Sequence, residues 1–123
     1  MKKLLILVED EKSIVGILKE EIKKSGINVE VALNGLIGMA KIKKDKPDLV
    51  LLDLILPNKS GLDILKEMRN DPELKDIPVI ILSNLADDDH LKETISLGIS
   101  DYLVKSNHEL REVVSTVNKF INK

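Results

Sequence analysis

Four segments that read as strands run into side chains able to do chemistry. Leu4–Val8 leads into Glu9-Asp10, Leu49–Leu52 into Asp53, Ile77–Leu82 into Ser83, and Asp101–Val104 into Lys105. Asp53 is the sharpest case, because eight of the nine residues from Leu49 to Pro57 are apolar and it is the exception. A carboxylate stranded deep in such a run loses its hydration at a cost of several kcal/mol, so it must neutralise, find a partner or reach water. Placing Asp53 where the strand leaves the sheet resolves this, and ligands of open parallel sheets bind at those carboxyl ends. If the first and third strands are neighbours, Glu9, Asp10 and Asp53 converge, and their charges repel unless a cation or protons join them. Oxygen donors alone, in a chain without cysteine and with no histidine nearby in sequence, specify a hard divalent ion. Mg²⁺ suits a partly hydrated site of one or two carboxylates plus a phosphate. Lys105 and Ser83 add the ammonium and hydroxyl that surround a phosphoryl group, and a carboxylate there can accept that group covalently.

The elements that must position these residues follow from apolar spacing. Strands are expected at Leu4–Val8, Asn28–Ala32, Leu49 onward, Ile77–Leu82 and Asp101–Val104. Between them, Lys12–Lys24 has helical spacing with Ile14, Ile17, Leu18 and Ile22 on one face, closed by Ser25-Gly26. Leu36–Lys44 follows Asn34-Gly35 with Leu36, Met39 and Ala40 inward, and Leu62–Asn70 turns Leu62, Leu65 and Met68 to the sheet. Asp88–Leu97 has the poorest stripe, Leu91 and Ile95, and stops at Gly98. Ser106-x-x-Glu109 reads as a capping box before the stripe Leu110, Val113, Val114, Val117 and Ile121. Strands alternating with helices over short connections predict one α/β domain over residues 1–123, a doubly wound parallel sheet covered on both faces.

Composition narrows the partners. Nineteen basic against 21 acidic residues give a net charge of −2 and no pull toward nucleic acid. Tyr102 and Phe120 are the only aromatic residues, too few for a base-stacking platform. The absence of cysteine fits a reducing cytoplasm. No apolar run approaches the roughly 20 residues of a membrane span, and Leu4–Val8 runs directly into acids, unlike a signal peptide.

Singly, each candidate has an ordinary reading: acids before a helix, a surface lysine, a rim tyrosine, turn residues at Pro57 and Gly61. His90 and His108 read as solvent-facing and form no site. Acid pair, aspartate, hydroxyl and lysine at four strand ends together reverse that balance. The set resembles the receiver domain of two-component response regulators, of the stand-alone chemotaxis type. The resemblance covers the chain and rests on Leu7-Val8-Glu9-Asp10-Glu11, on Asp53 with Leu54, Pro57 and Gly61, on Ile81-Leu82-Ser83, and on Leu97-Gly98 through Asp101-Tyr102-Leu103-Val104-Lys105.

The resemblance implies a flavodoxin-like fold with strand order 2-1-3-4-5. It implies that Asp53 accepts a phosphoryl group from the phosphohistidine of a sensor histidine kinase or phosphotransfer protein. Asp10, Asp53 and the backbone carbonyl of Ile55 would hold Mg²⁺, Glu9 acting through a metal-bound water. Lys105 would pair with Asp53 and then with a phosphoryl oxygen. Ser83 would bond the phosphoryl group and Tyr102 would change rotamer with it, altering the face made by the fourth helix, fifth strand and fifth helix to control a downstream protein. Such a domain assists only its own phosphorylation and dephosphorylation, is cytoplasmic, and binds neither nucleic acid nor membrane. It would stand alone or form part of a longer chain.

Two departures from the family pattern matter. Ser106 replaces the usual proline after the lysine, so Lys105–Ser106 is expected to be trans, since a non-proline cis bond costs about 3–4 kcal/mol. Ser83 is the shorter of the family's two hydroxyls. Apolar Ile55 and Leu85, where relatives often carry polar groups that orient water, predict slow acyl-phosphate hydrolysis. The rival classes fit less well: an aspartyl-phosphate hydrolase wants an acid where Ile55 stands, and Glu9-Asp10-Glu11 would repel a flavin phosphate. A non-phosphorylated scaffold descended from receivers is the strongest alternative.

Overall fold

The computed structural model describes residues 2–84, 88–106 and 109–122, with the backbone alone at 88–90. The elements are β1 (Leu4–Val8), α1 (Lys12–Lys23), β2 (Asn28–Ala32), α2 (Gly35–Asp45), β3 (Leu49–Leu52), α3 (Gly61–Asn70), β4 (Val79–Ser83), α4 (Asp88–Ser96), β5 (Asp101–Val104) and α5 (Leu110–Ile121). The strands form one sheet in the order β2-β1-β3-β4-β5, every neighbouring pair parallel. The predicted order and class hold.

The strand period of two divides the apolar residues between two cores. Ile6, Val8, Val50, Leu52, Val79 and Ile81 meet Met39 and Ile42 of α2 and Ile64, Leu65 and Met68 of α3. Leu5, Leu7, Leu49, Leu51, Ile80 and Leu82 meet Leu18 and Ile22 of α1 and Val113, Val117 and Ile121 of α5. All four residues of β3 are buried, as a central strand covered on both faces requires.

Several local expectations need correction. On α2, Leu36 is 58% exposed and Ala40 is exposed, and the inward face is Gly35, Gly38, Met39 and Ile42. The reason is close approach: a Cβ at Gly38 would lie 2.7 Å from Val8 Cγ1, so α2 meets the sheet over its glycines rather than over Leu36 and Ala40. Ile17 of α1 is exposed. On α4, Thr94 rather than Ile95 is fully buried, and Ile95 faces outward. The capping box of α5 is Glu109 with Glu112, not Ser106 with Glu109, because the helix begins at Leu110; the Glu109 N–H donates to Glu112 Oε1 at 3.2 Å. His108 and Leu85, and the side chain of His90, lie outside the described residues.

Candidate functional site

Strand register brings the site together. Val8 lies opposite Ala32 on one side and Leu52 on the other. The ladder runs one residue further, with Asp53 N–H donating to the Val8 carbonyl and Glu9 N–H to that of Ala32, both at 3.0 Å. On the far side Ser83 pairs with Val104, and Lys105 N–H donates to the Ser83 carbonyl at 2.9 Å. Glu9, Asp53, Ser83 and Lys105 therefore stand along one rim, where the chain turns from β1 to opposite sides of the sheet.

The loop after β3 fixes the Asp53 backbone. Gly61 N–H donates to the Leu54 carbonyl at 2.8 Å, and any Cβ at Gly61 would collide with the Asp53 carbonyl oxygen. The Pro57 carbonyl accepts from Gly35 N–H at 3.1 Å, tying this loop to the start of α2. Ser60 then caps α3, accepting from Asp63 N–H at 3.1 Å.

At the centre is Lys105, its side chain only 7% exposed. Its Nζ lies 2.7 Å from Glu9 Oε1, 3.0 Å from Asp53 Oδ2 and 3.0 Å from Glu11 Oε1. Burial disfavours the ammonium, but bonds to Glu9, Asp53 and Glu11 outweigh it and raise the lysine above its ordinary value. Burial pushes the Glu9 carboxyl up, against the pull of Lys105 and of the Glu11 N–H, which donates to Glu9 Oε2 at 3.1 Å. The other Asp53 oxygen, Oδ1, accepts from Ile55 N–H at 3.2 Å.

Glu9, Asp10 and Asp53 each offer a carboxylate oxygen, and these lie within 4.8 Å of one another. Glu9 and Asp53 are buried and Asp10 is exposed. Among the described residues, Glu9, Glu11 and Asp53 pair with the Lys105 ammonium and Asp10 adds a fourth carboxylate, an excess of negative charge in all-oxygen donors that fits a divalent cation. Asp10, Glu11, Asp53, Ile55, Ser83 and Asn84 line a cleft of about 240 Å³ over the cluster. Ser83 is fully buried, whereas the Ile55 side chain is 60% exposed at the mouth. Tyr102 is not among the lining residues. It lies on β5 opposite Ile81, half-buried against the core on the α2 and α3 side. A second hollow, about 270 Å³, is lined mainly by apolar residues of α1, β4 and α5, with Ser13 and Lys105.

Of the residues expected at the site, Glu9, Asp10, Asp53, Ile55, Ser83 and Lys105 meet at one place. Sequence reasoning passed over Glu11 as a site residue, although a third consecutive acid after a strand was a usable signal. Asn84 carries no comparable signal. Among the described residues no peptide bond is cis, so Lys105–Ser106 is trans as expected.

Fold and site together define a doubly wound α/β domain with an acidic, cation-binding cluster and a lysine at the carboxyl ends of its strands. The family model of the response regulator receiver domain matches residues 5–118. The response regulator Rcp1 of Synechocystis sp. is 33% identical over 129 residues, spanning 96% of this chain and 88% of Rcp1. The crystal structure of its Mn²⁺-bound form superposes with a TM-score of 0.86 at 32% identity, covering 96% of this chain and 93% of that one. The phosphorylated cyanobacterial phytochrome response regulator RcpA gives a TM-score of 0.90 at 30% identity, covering 100% and 96%. The chain belongs to the response regulator receiver domain family. Among the described residues no helix is long and apolar enough to cross a membrane.

Proposed function

We propose that this domain is a phosphorylation-dependent switch in which Asp53 accepts a phosphoryl group from the phosphohistidine of a sensor histidine kinase or phosphotransfer protein. An Asp53 carboxylate oxygen attacks phosphorus, the P–N bond to the donor imidazole breaks with its electron pair going to that nitrogen, and an acyl phosphate results. The observation that carries this reading is the Asp53 carboxylate held 3.0 Å from the Lys105 ammonium at the rim where Glu9 and Asp10 converge.

Asp10, Asp53 and the Ile55 carbonyl would hold Mg²⁺, with Glu9 one water away; when bound, the ion neutralises charge on the phosphoryl oxygens. The existence of a Mn²⁺-bound form of Rcp1 supports binding of a divalent ion, and phosphorylated RcpA supports the acceptor reading. Lys105 orients the acceptor and then bonds a phosphoryl oxygen, and the Ser83 hydroxyl donates to another. Tyr102 couples this to the face of α4, β5 and α5, which engages a downstream protein. Location in the cytoplasm, one domain over residues 1–123, and no activity beyond its own phosphorylation and dephosphorylation complete the reading. The rival, a scaffold without phosphorylation, needs Lys105 displaced by the Ser106 substitution, and the Lys105–Asp53 contact argues against that.

Incubation with Mg²⁺ and acetyl phosphate should add one phosphoryl mass to the intact protein and none to D53N. No gain in the wild-type protein favours the scaffold. After acetyl phosphate is removed, the adduct should decay slowly, and I55N should shorten its lifetime several-fold if apolar Ile55 keeps water disordered.

A further inference from the structure

An ammonium has three N–H donors and no acceptor, and the three partners of Lys105 are not equivalent. Glu9 and Asp53 belong to the trio whose oxygens converge with those of Asp10, so a bound cation competes with Lys105 for both. Asp53 is also the proposed acceptor. Glu11 lines the cleft but stands outside that trio.

Glu11 also occupies the N-cap position of α1, where a short Ser, Thr, Asp or Asn side chain ordinarily accepts from free N–H groups of the first turn. Here its side chain makes no capping bond. Only its backbone carbonyl serves the helix, accepting from Ile14 and Val15 N–H at 3.0 and 3.1 Å. The carboxylate reaches instead to Lys105 Nζ, a partner 94 positions away in sequence. The Glu11 side chain is 44% exposed, so water screens its end of the pair, and a favoured N-cap residue at this position would do more for the helix. The side chain at this position thus serves Lys105 rather than the helix.

We infer that Glu11 is a positioning residue for Lys105, keeping the ammonium beside Asp53 when a cation draws on Glu9 and Asp53, and hence where a phosphoryl oxygen arrives. The inference rests on the phosphoacceptor reading above. The Glu11 backbone N–H, which donates to Glu9, is kept in E11Q and E11S, so these variants isolate the contact to Lys105.

The test compares E11Q and E11S with the wild-type protein in Mg²⁺. Serine is a favoured N-cap residue, so E11S should keep or gain thermal stability while losing the lysine contact. In both variants an amine-reactive reagent, read by peptide mass spectrometry, should label Lys105 about threefold faster, the factor that a half-exposed ion pair supports. Phosphoryl uptake from acetyl phosphate should fall by a similar factor, with Mg²⁺ affinity within about twofold of wild type because Glu11 is not in the cation trio. Lost uptake with undiminished stability is a pattern that a merely structural role does not give. Lys105 labelled equally in all three proteins would overturn the inference. So would Mg²⁺ affinity falling in step with uptake, which would assign Glu11 to the cation. If the wild-type protein takes up no phosphoryl group, the acceptor reading fails and the labelling comparison still judges Glu11.

Discussion

Lys105 is the residue on which the electrostatics of the rim turn. Its side chain is almost fully buried beside Glu9, which is 1% exposed, and breaking a buried ion pair from one side leaves the other charge uncompensated. K105M should therefore destabilise the metal-free protein by about 3 kcal/mol in urea unfolding. Mg²⁺ should restore more stability to the variant than to the wild type, because the ion then replaces the missing positive charge; at a hundredfold excess over Kd, binding adds about 2.7 kcal/mol. Phosphoryl uptake should remain reduced by about a hundredfold, the lower end of the cost of one lost charge-stabilising donor. Equal Mg²⁺ stabilisation of both proteins would mean that Lys105 and the cation do not share carboxylates. At this scale Glu9, Asp10, Asp53, Ser83 and Lys105 were legible because each interrupts or ends a strand-like run. The Glu11–Lys105 contact was not, since no local pattern reports a pairing across 94 positions.

Elements position these residues through contacts that apolar counting does not see. Gly38 lets α2 lie against Val8, the last residue before Glu9. G38A should cost about 1–3 kcal/mol by overpacking, and V8A in the same chain should recover part of it; absence of recovery would place the strain elsewhere. This is also why the inward face of α2 was misread from the sequence: glycine has no side chain to enter an apolar stripe, so Leu36 and Ala40 were chosen instead. Glu67 of α3 joins α2 and the loop after β3, pairing with Lys43 and Lys59, each at 2.6 Å. Bonds from Lys43 and Lys59 hold its carboxyl below the usual value. A depressed folded-state pKa gives stability that is present above the unfolded-state value and lost as pH falls through the folded one. E67Q should thus be less stable than wild type near neutral pH, and the gap should close in acid. A gap that persists unchanged to low pH would show that the pairs contribute nothing through charge.

Across the whole molecule, the doubly wound sheet was readable from alternating strand and helix patterns, and the order of its strands from the resemblance. How firmly each helix is held was only hinted at, because tertiary contacts decide it. The thin stripe read on α4 has its counterpart in the structure: among side chains 91–96, Thr94 alone is fully buried. The end of the helix is anchored differently. Arg69 of α3 donates to the carbonyls of Leu97 at 2.7 Å and Gly98 at 3.0 Å, and also to those of Lys75 and Ile77. That fork fixes the chain between α4 and β5, while α4 from residue 91 to 96 has few buried groups to resist displacement. Regions with little buried apolar contact open at low free-energy cost, so α4 amides should exchange hydrogen faster than those of α3 and α5. In the proposed switch, phosphorylation at the rim would act first on Ser83, the last residue of β4, and on Lys105, the residue after β5. With Mg²⁺ and acetyl phosphate, exchange should therefore change in α4 and β5 while α1 and α2 keep their rates, and D53N should show no change. A change spread evenly over all five helices would mean that the signal is global stabilisation by ligand rather than a shift of one lightly held element.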